Sequence, residues 1–128
     1  MTLRFEAEVV RCTEALGGDI LQVKFDTVDL NGKDHRRSPY VLLGQCFEFP
    51  GPPSIEWHDG ADYGGGAKIR SVLLQKDSVS ISTDRSPGFS ISFSVGEARY
   101  KELAWFLKRI FPETEVADVP TVDRDLDL

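Results

Sequence analysis

An α+β fold is what this sequence predicts: a mostly antiparallel sheet of about six or seven strands, with one C-terminal amphipathic helix packed on one face. Residues 69–94 carry three short runs rich in β-branched and aromatic residues, Ile69/Val72/Leu74, Val79/Ile81 and Phe89/Ile91/Phe93, separated by turn residues in the manner of a strand meander. Residues 97–111 switch to helical spacing, with Tyr100, Leu103, Ala104, Leu107, Ile110 and Phe111 on one apolar stripe. Upstream of both, apolar and polar residues alternate with the period of a strand that has one wet face.

Taken in order, Leu3, Phe5, Ala7 and Val9 alternate with Arg4, Glu6 and Glu8, which predicts a first strand. Gly17-Gly18 supplies a turn and Leu21, Val23 and Phe25 the returning strand of an antiparallel hairpin. Residues 26–39 are polar and contain Asn31-Gly32, a turn dipeptide. Lys33, His35, Arg36 and Arg37 sit in that stretch; a solvated loop is the plainer reading of them, a site for an anionic ligand the sharper one. The apolar run Tyr40–Leu43 fits a central strand, with a buried helical turn as the alternative that periodicity alone leaves open, and Phe47 and Phe49 are expected to continue the core until Pro50-Gly51-Pro52-Pro53 interrupts the chain. In the next strand Ile55 and Trp57 face inward and Glu56 and His58 outward, followed by a glycine-rich loop over 59–67.

The meander strands are expected at 69–75, 78–83 and 89–94. Their outward positions, Ser78, Ser80, Ser82, Ser90 and Ser92, form a hydroxyl-rich face open to water or to a partner. Ser94 and Glu97 have the S-x-x-E spacing of a capping box at the helix start, and Pro112 stops the helix after Phe111. Trp105 falls opposite the apolar stripe, among Lys101, Glu102, Lys108 and Arg109. A large ring there needs a cover, either from Val116, Val119 or Val122 folding back or from a protein partner.

The 128 residues suffice for one domain, assigned to 1–112, with 113–128 as an acidic, mobile tail. The formal charge of −6 is concentrated there: residues 113–128 hold a net −5, which leaves −1 for the rest. A nearly neutral, dipolar body excludes the basic stripe that non-specific nucleic-acid binding requires. No apolar run approaches the ~20 residues of a membrane span, and charged residues from Arg4 onward replace the apolar stretch of a secretory signal, so a cytoplasmic protein with no membrane partner is expected. Cys12 and Cys46 have neither the number nor the spacing of a disulfide framework or zinc site and read as reduced thiols.

Catalytic signatures are hard to find. Gly60–Lys68 lacks the G-K-[ST] ending of a phosphate-binding loop and runs into a strand, so no helix N-terminus follows it. Glu56, His58, Asp59 and Asp62 match no metal motif, and neither cysteine lies in a nucleophile context with His35 or His58. The expectation is a protein that is not an enzyme and uses no cofactor or metal.

From Tyr40 to Phe111 the order of features resembles the immunity protein 10 family, small α+β proteins assigned to bacterial polymorphic toxin systems. The resembling pieces are Tyr40-Val41-Leu42-Leu43-Gly44-Gln45, then Ser54-Ile55-Glu56-Trp57-His58-Asp59, then Tyr63-Gly64-Gly65-Gly66 leading to Ile69, Val72 and Leu74, then the hydroxyl-bearing strands and the amphipathic helix. The resemblance implies a cytoplasmic protein that binds and neutralises a cognate protein toxin without catalysis. It carries no contact residues. The expected partner site comes from the residues themselves: the edge of Glu56, His58, Asp59, Asp62 and Tyr63, adjoining the serine face, together with Trp105. The competing class is a small-ligand-binding or structural interaction module, and formation of a homo-oligomer is left open.

Overall fold

In the computed structural model, which describes residues 1–27, 38–49 and 51–117, the alternating stretches become strands of two separate sheets. In chain order they are β1 (Thr2–Glu6), β2 (Val9–Ala15), β3 (Ile20–Asp26), β4 (Tyr40–Cys46), β5 (Ser54–His58), β6 (Tyr63–Gly65), β7 (Ile69–Gln75), β8 (Ser78–Thr83) and β9 (Gly88–Ser92), then helix α1 (Glu97–Ile110) and β10 (Glu115–Val116). The first sheet has the order β1-β9-β8-β7-β10 and the second β2-β3-β4-β5-β6. All pairings are antiparallel except β1 with β9 and β10 with β7. The fold class is the expected one. The strand count is ten among the described residues where six or seven were expected, and the sheets are two rather than one.

Three of the differences have a local cause. The expected first strand over Leu3–Val9 is two strands in different sheets: the buried positions run Leu3, Ala7, then Val10, so the phase slips by one residue at Glu8. There Ala7 N–H donates to the Ser92 carbonyl of one sheet, and Glu8 N–H to the Asp26 carbonyl of the other. The expected loop over 59–67 contains β6, an edge strand of one tyrosine and two glycines. The chain past residue 112 does not leave the domain at once. Thr114 is buried, its hydroxyl donating to the Leu107 and Phe111 carbonyls, and β10 adds an edge to β7. Residues 114–116 therefore belong to the folded domain, and residues 118–128, with Val119 and Val122, lie outside the described residues, as do Lys33, His35, Arg36 and Arg37.

Each sheet buries one face, and the two buried faces meet. Trp57 of β5 packs edge-on against Phe89 of β9 with ring centroids 5.2 Å apart, and Phe25 of β3 stacks on Phe93 at 5.9 Å. α1 lies along β3, flanked by β2 and β4, and inserts Leu103, Phe106, Leu107 and Ile110 into the shared core. So the helix covers the N-terminal sheet and not the meander beside it in sequence. Its start also differs from the expected capping box: the N-cap is Gly96, and no side chain caps the first amides. Phe47 and Phe49, expected in the core, are 42% and 68% exposed in the loop after β4. No helix among the described residues is long and apolar enough to cross a membrane.

Candidate functional site

The outer face of the second sheet is built by register. Asp26, Tyr40, His58 and Tyr63 stand opposite one another on β3, β4, β5 and β6, so a cross-strand row of two phenols and an imidazole faces away from the core. Tyr40 and His58 stack with ring centroids 6.1 Å apart. Lys24 lies over the Tyr40 ring at 4.8 Å and pairs with Asp26 at 3.3 Å, so this cation is already engaged. The neighbouring row holds Leu42, Glu56 and Gly65. Tyr63 leans back across Gly65 toward the Glu56 side chain.

The glycines of β6 make this possible on both faces of the strand. A Cβ on Gly64 would lie 2.5 Å from Cε2 of the Trp57 indole beneath it, and one on Gly65 3.3 Å from the Tyr63 hydroxyl above it. The sequence offered these glycines as a loop signal; in the sheet they leave room for two aromatic rings, one inside and one outside.

Electrostatics on this face run against negative charge. Burial, then the Glu56 carboxylate, then Tyr63 and Asp26 push the Tyr40 phenol up from its ordinary value, and burial followed by Glu56 does the same for Tyr63. Both phenols therefore stay neutral donors at physiological pH. The Gly60 N–H donates to His58 Nδ1 at 3.0 Å, which leaves the imidazole proton on Nε2, a third donor beside the two phenols.

Five of the six expected partner residues gather at this end of the sheet, but they do not play equal parts. Glu56, His58 and Tyr63 form the face. Asp59 builds the turn after β5: its Oδ1 accepts from Ala61 N–H at 2.8 Å and Asp62 N–H at 2.7 Å, bonds that hold its carboxyl below the usual range. Asp62 lies exposed in the same turn. Tyr40, which completes the row, was read only as part of an apolar core run; the signal that could have revealed it is the register Tyr40↔His58 that an antiparallel β4–β5 pairing imposes.

Trp105 does not belong to this group. It is 50% exposed on α1 beside Arg109, and Arg109 reaches Phe47, which follows β4 at the end opposite Tyr40, roughly 20 Å along the strand. The serine face does not adjoin the edge either. Ser80, Ser82 and Ser92 are exposed on the outer face of the first sheet, across the core from Glu56. Ser71 and Ser82 hydrogen-bond each other at 2.6 Å on the floor of an open groove of about 600 Å³, which Arg70, Glu113 and Glu115 border.

Among the described residues no three His, Cys, Asp or Glu side chains are grouped to hold a metal ion. Cys12 and Cys46 are half-buried free thiols. Cys12 faces the helix, where burial and then the Glu102 carboxylate push its thiol up to about 11, against only a partial offset from Arg99. No family model, curated protein or solved structure matches this chain.

Proposed function

We propose that this chain is a non-catalytic immunity-type protein, which binds and neutralises a cognate bacterial toxin in the cytoplasm through the outer face of its second sheet. The observation that carries this reading is the Tyr40–His58–Tyr63 row with Glu56 and Asp62 beside it. Tyrosines on paired strands offer large contact area with few rotatable bonds, and surrounding carboxylates steer a basic partner and raise its on-rate. The sequence resemblance of Tyr40–Phe111 to the immunity protein 10 family points to the same role. A small-ligand module is the second reading, and the groove beside Ser71 and Ser82 is the observation that favours it.

The test is titration of a toxin domain encoded beside this chain's gene. Glu56→Lys with Asp62→Lys should slow association and weaken binding, and the deficit should shrink at high salt. Asp62 is chosen over Asp59 because the Asp59 carboxylate holds the turn. Undiminished binding by the double variant, or a neighbourhood with no toxin gene, would remove the support for this reading. A Leu73→Arg change, which fills the groove floor, should leave toxin binding intact.

A further inference from the structure

β1 forms an open edge of the first sheet. It pairs with β9 on one side, in a parallel register from Thr2↔Gly88 to Glu6↔Ser92. The Met1 carbonyl accepts from Gly88 N–H and Ala7 N–H donates to the Ser92 carbonyl, so the odd-numbered residues turn their main-chain groups toward β9. The amides and carbonyls of Thr2, Arg4 and Glu6 therefore point the other way, and among the described residues they have no main-chain partner. The remaining sheet edges differ. β6 and β10 are three and two residues long, and on β2 the Val10 carbonyl is taken by Arg99 Nη1 at 2.8 Å. β1 is five residues long and has neither the proline nor the bulge that would blunt it.

We propose that a second copy of this chain pairs with the β1 edge, antiparallel and about a two-fold axis at Phe5. An axis normal to the sheet keeps every side chain on its own face, so even residues oppose even ones and odd oppose odd. Centred on Phe5, it sets Arg4 opposite the partner's Glu6, and Glu6 opposite the partner's Arg4. These are residues whose amides and carbonyls are free, so each pair exchanges two main-chain hydrogen bonds. The same pairs bring together unlike charges on the outer face, where Arg4 and Glu6 are exposed and, among the described residues, in no ion pair. Directly opposed unlike charges favour strand pairing and like charges oppose it. An axis at Arg4 or at Glu6 would set that residue against its own copy. On the inner face Phe5 meets the partner's Phe5 at a non-hydrogen-bonded position, where opposed Cα atoms come closest. Phe5 is only partly buried at the rim of the core, and the second ring covers what remains open. β2 has no such self-complement, because its Arg11 and Glu14 lie on opposite faces and cannot meet across a two-fold axis. The contact uses the first sheet, so it is separable from toxin binding on the second.

Sedimentation equilibrium of the full chain over a wide range of loading concentrations tests it, with circular dichroism to check that each variant is folded. The unmodified chain should show a monomer–dimer equilibrium. Arg4→Glu sets like charges across the seam and should abolish the dimer at concentrations where the unmodified chain forms it. Arg4→Glu with Glu6→Arg restores unlike pairs and should recover it. Lys101→Glu makes the same change in net charge on the exposed side of α1 and should leave the dimer intact. Arg4→Pro removes an N–H that points away from β9, so the monomer keeps its sheet while the dimer is lost. If the proline variant fails to fold, the charge reversals still decide. In hydrogen exchange the Arg4 and Glu6 amides should gain protection as protein concentration rises. A monomer at every concentration overturns the proposal. So does a dimer that Arg4→Glu leaves unchanged, which assigns the contact to another face, and so does protection of the β1 amides that appears only when a different protein is added.

Discussion

Gly64 and Gly65 show how the smallest side chain can place the largest. Trp57 is 7% exposed because its indole lies flat against the backbone of β6, where any Cβ would collide with ring atoms rather than with a flexible chain end. Gly64→Ala should therefore destabilise the fold by about 1–3 kcal/mol through overpacking, measured as a drop in urea midpoint. Gly65→Ala would press most closely on the Tyr63 hydroxyl, the far end of a side chain that can swing away, and should cost less. Cys12 makes a second prediction. Its thiol is raised from the ordinary 9.0 to about 11, so the folded state holds the proton more tightly than the unfolded one. The associated stability is complete below pH 9 and is lost as pH rises toward 11. Alkylation at Cys12, followed by peptide mapping, should stay slow at pH 9 and accelerate only near the raised value.

Helix α1 is held by what it buries rather than by how it starts. Leu103 and Leu107 are fully buried against β3, whereas the N-cap Gly96 makes no side-chain bond. Leu107→Ala should cost about 2–5 kcal/mol through lost transfer energy and a residual cavity. Ser94→Ala should lie well below the ~1 kcal/mol typical of a lost cap. Lys101→Ala should be nearly silent, since the pair with Glu97 is exposed on both sides. Equal shifts in denaturation midpoint for Leu107→Ala and Lys101→Ala would contradict the observed orientation of the helix.

The two sheets share one core, in which Trp57 meets Phe89 and Phe25 meets Phe93 while α1 fills the space along β3. Neither sheet can lose the other without exposing its apolar face. Unfolding followed by Trp57 fluorescence and by far-ultraviolet circular dichroism should therefore give coincident transitions. Phe89→Ala should lower both midpoints together, by about 3–5 kcal/mol of stability. Separate transitions would show that the sheets are independent units. The same arrangement divides the surface. The Tyr40–His58–Tyr63 face and the serine groove lie on opposite outer faces across the core, so substitutions in one should leave the other unchanged, within the additivity expected of distant sites.

Local pattern was enough for the meander, the helix and the outward direction of Glu56 and His58, because alternation and helical spacing report directly which side chains leave water. It could not say which apolar surface each buried face would meet. Leu3 and Val10 are equally apolar, yet one joins a sheet through the parallel pairing Leu3↔Phe89 and the other joins the second sheet through Val10↔Phe25. The helix sequence likewise announces an apolar stripe without naming β3 as its floor. For the candidate site, the sequence placed Glu56, His58 and Tyr63 near one another because they are close in the chain. Only the tertiary structure brought Tyr40 into their row, turned Asp59 to its own backbone and moved Trp105 to Arg109 and Phe47. Those outcomes rest on pairings between distant residues, whose free energy comes from closing two sheets over a common core and has no counterpart in any short stretch of sequence.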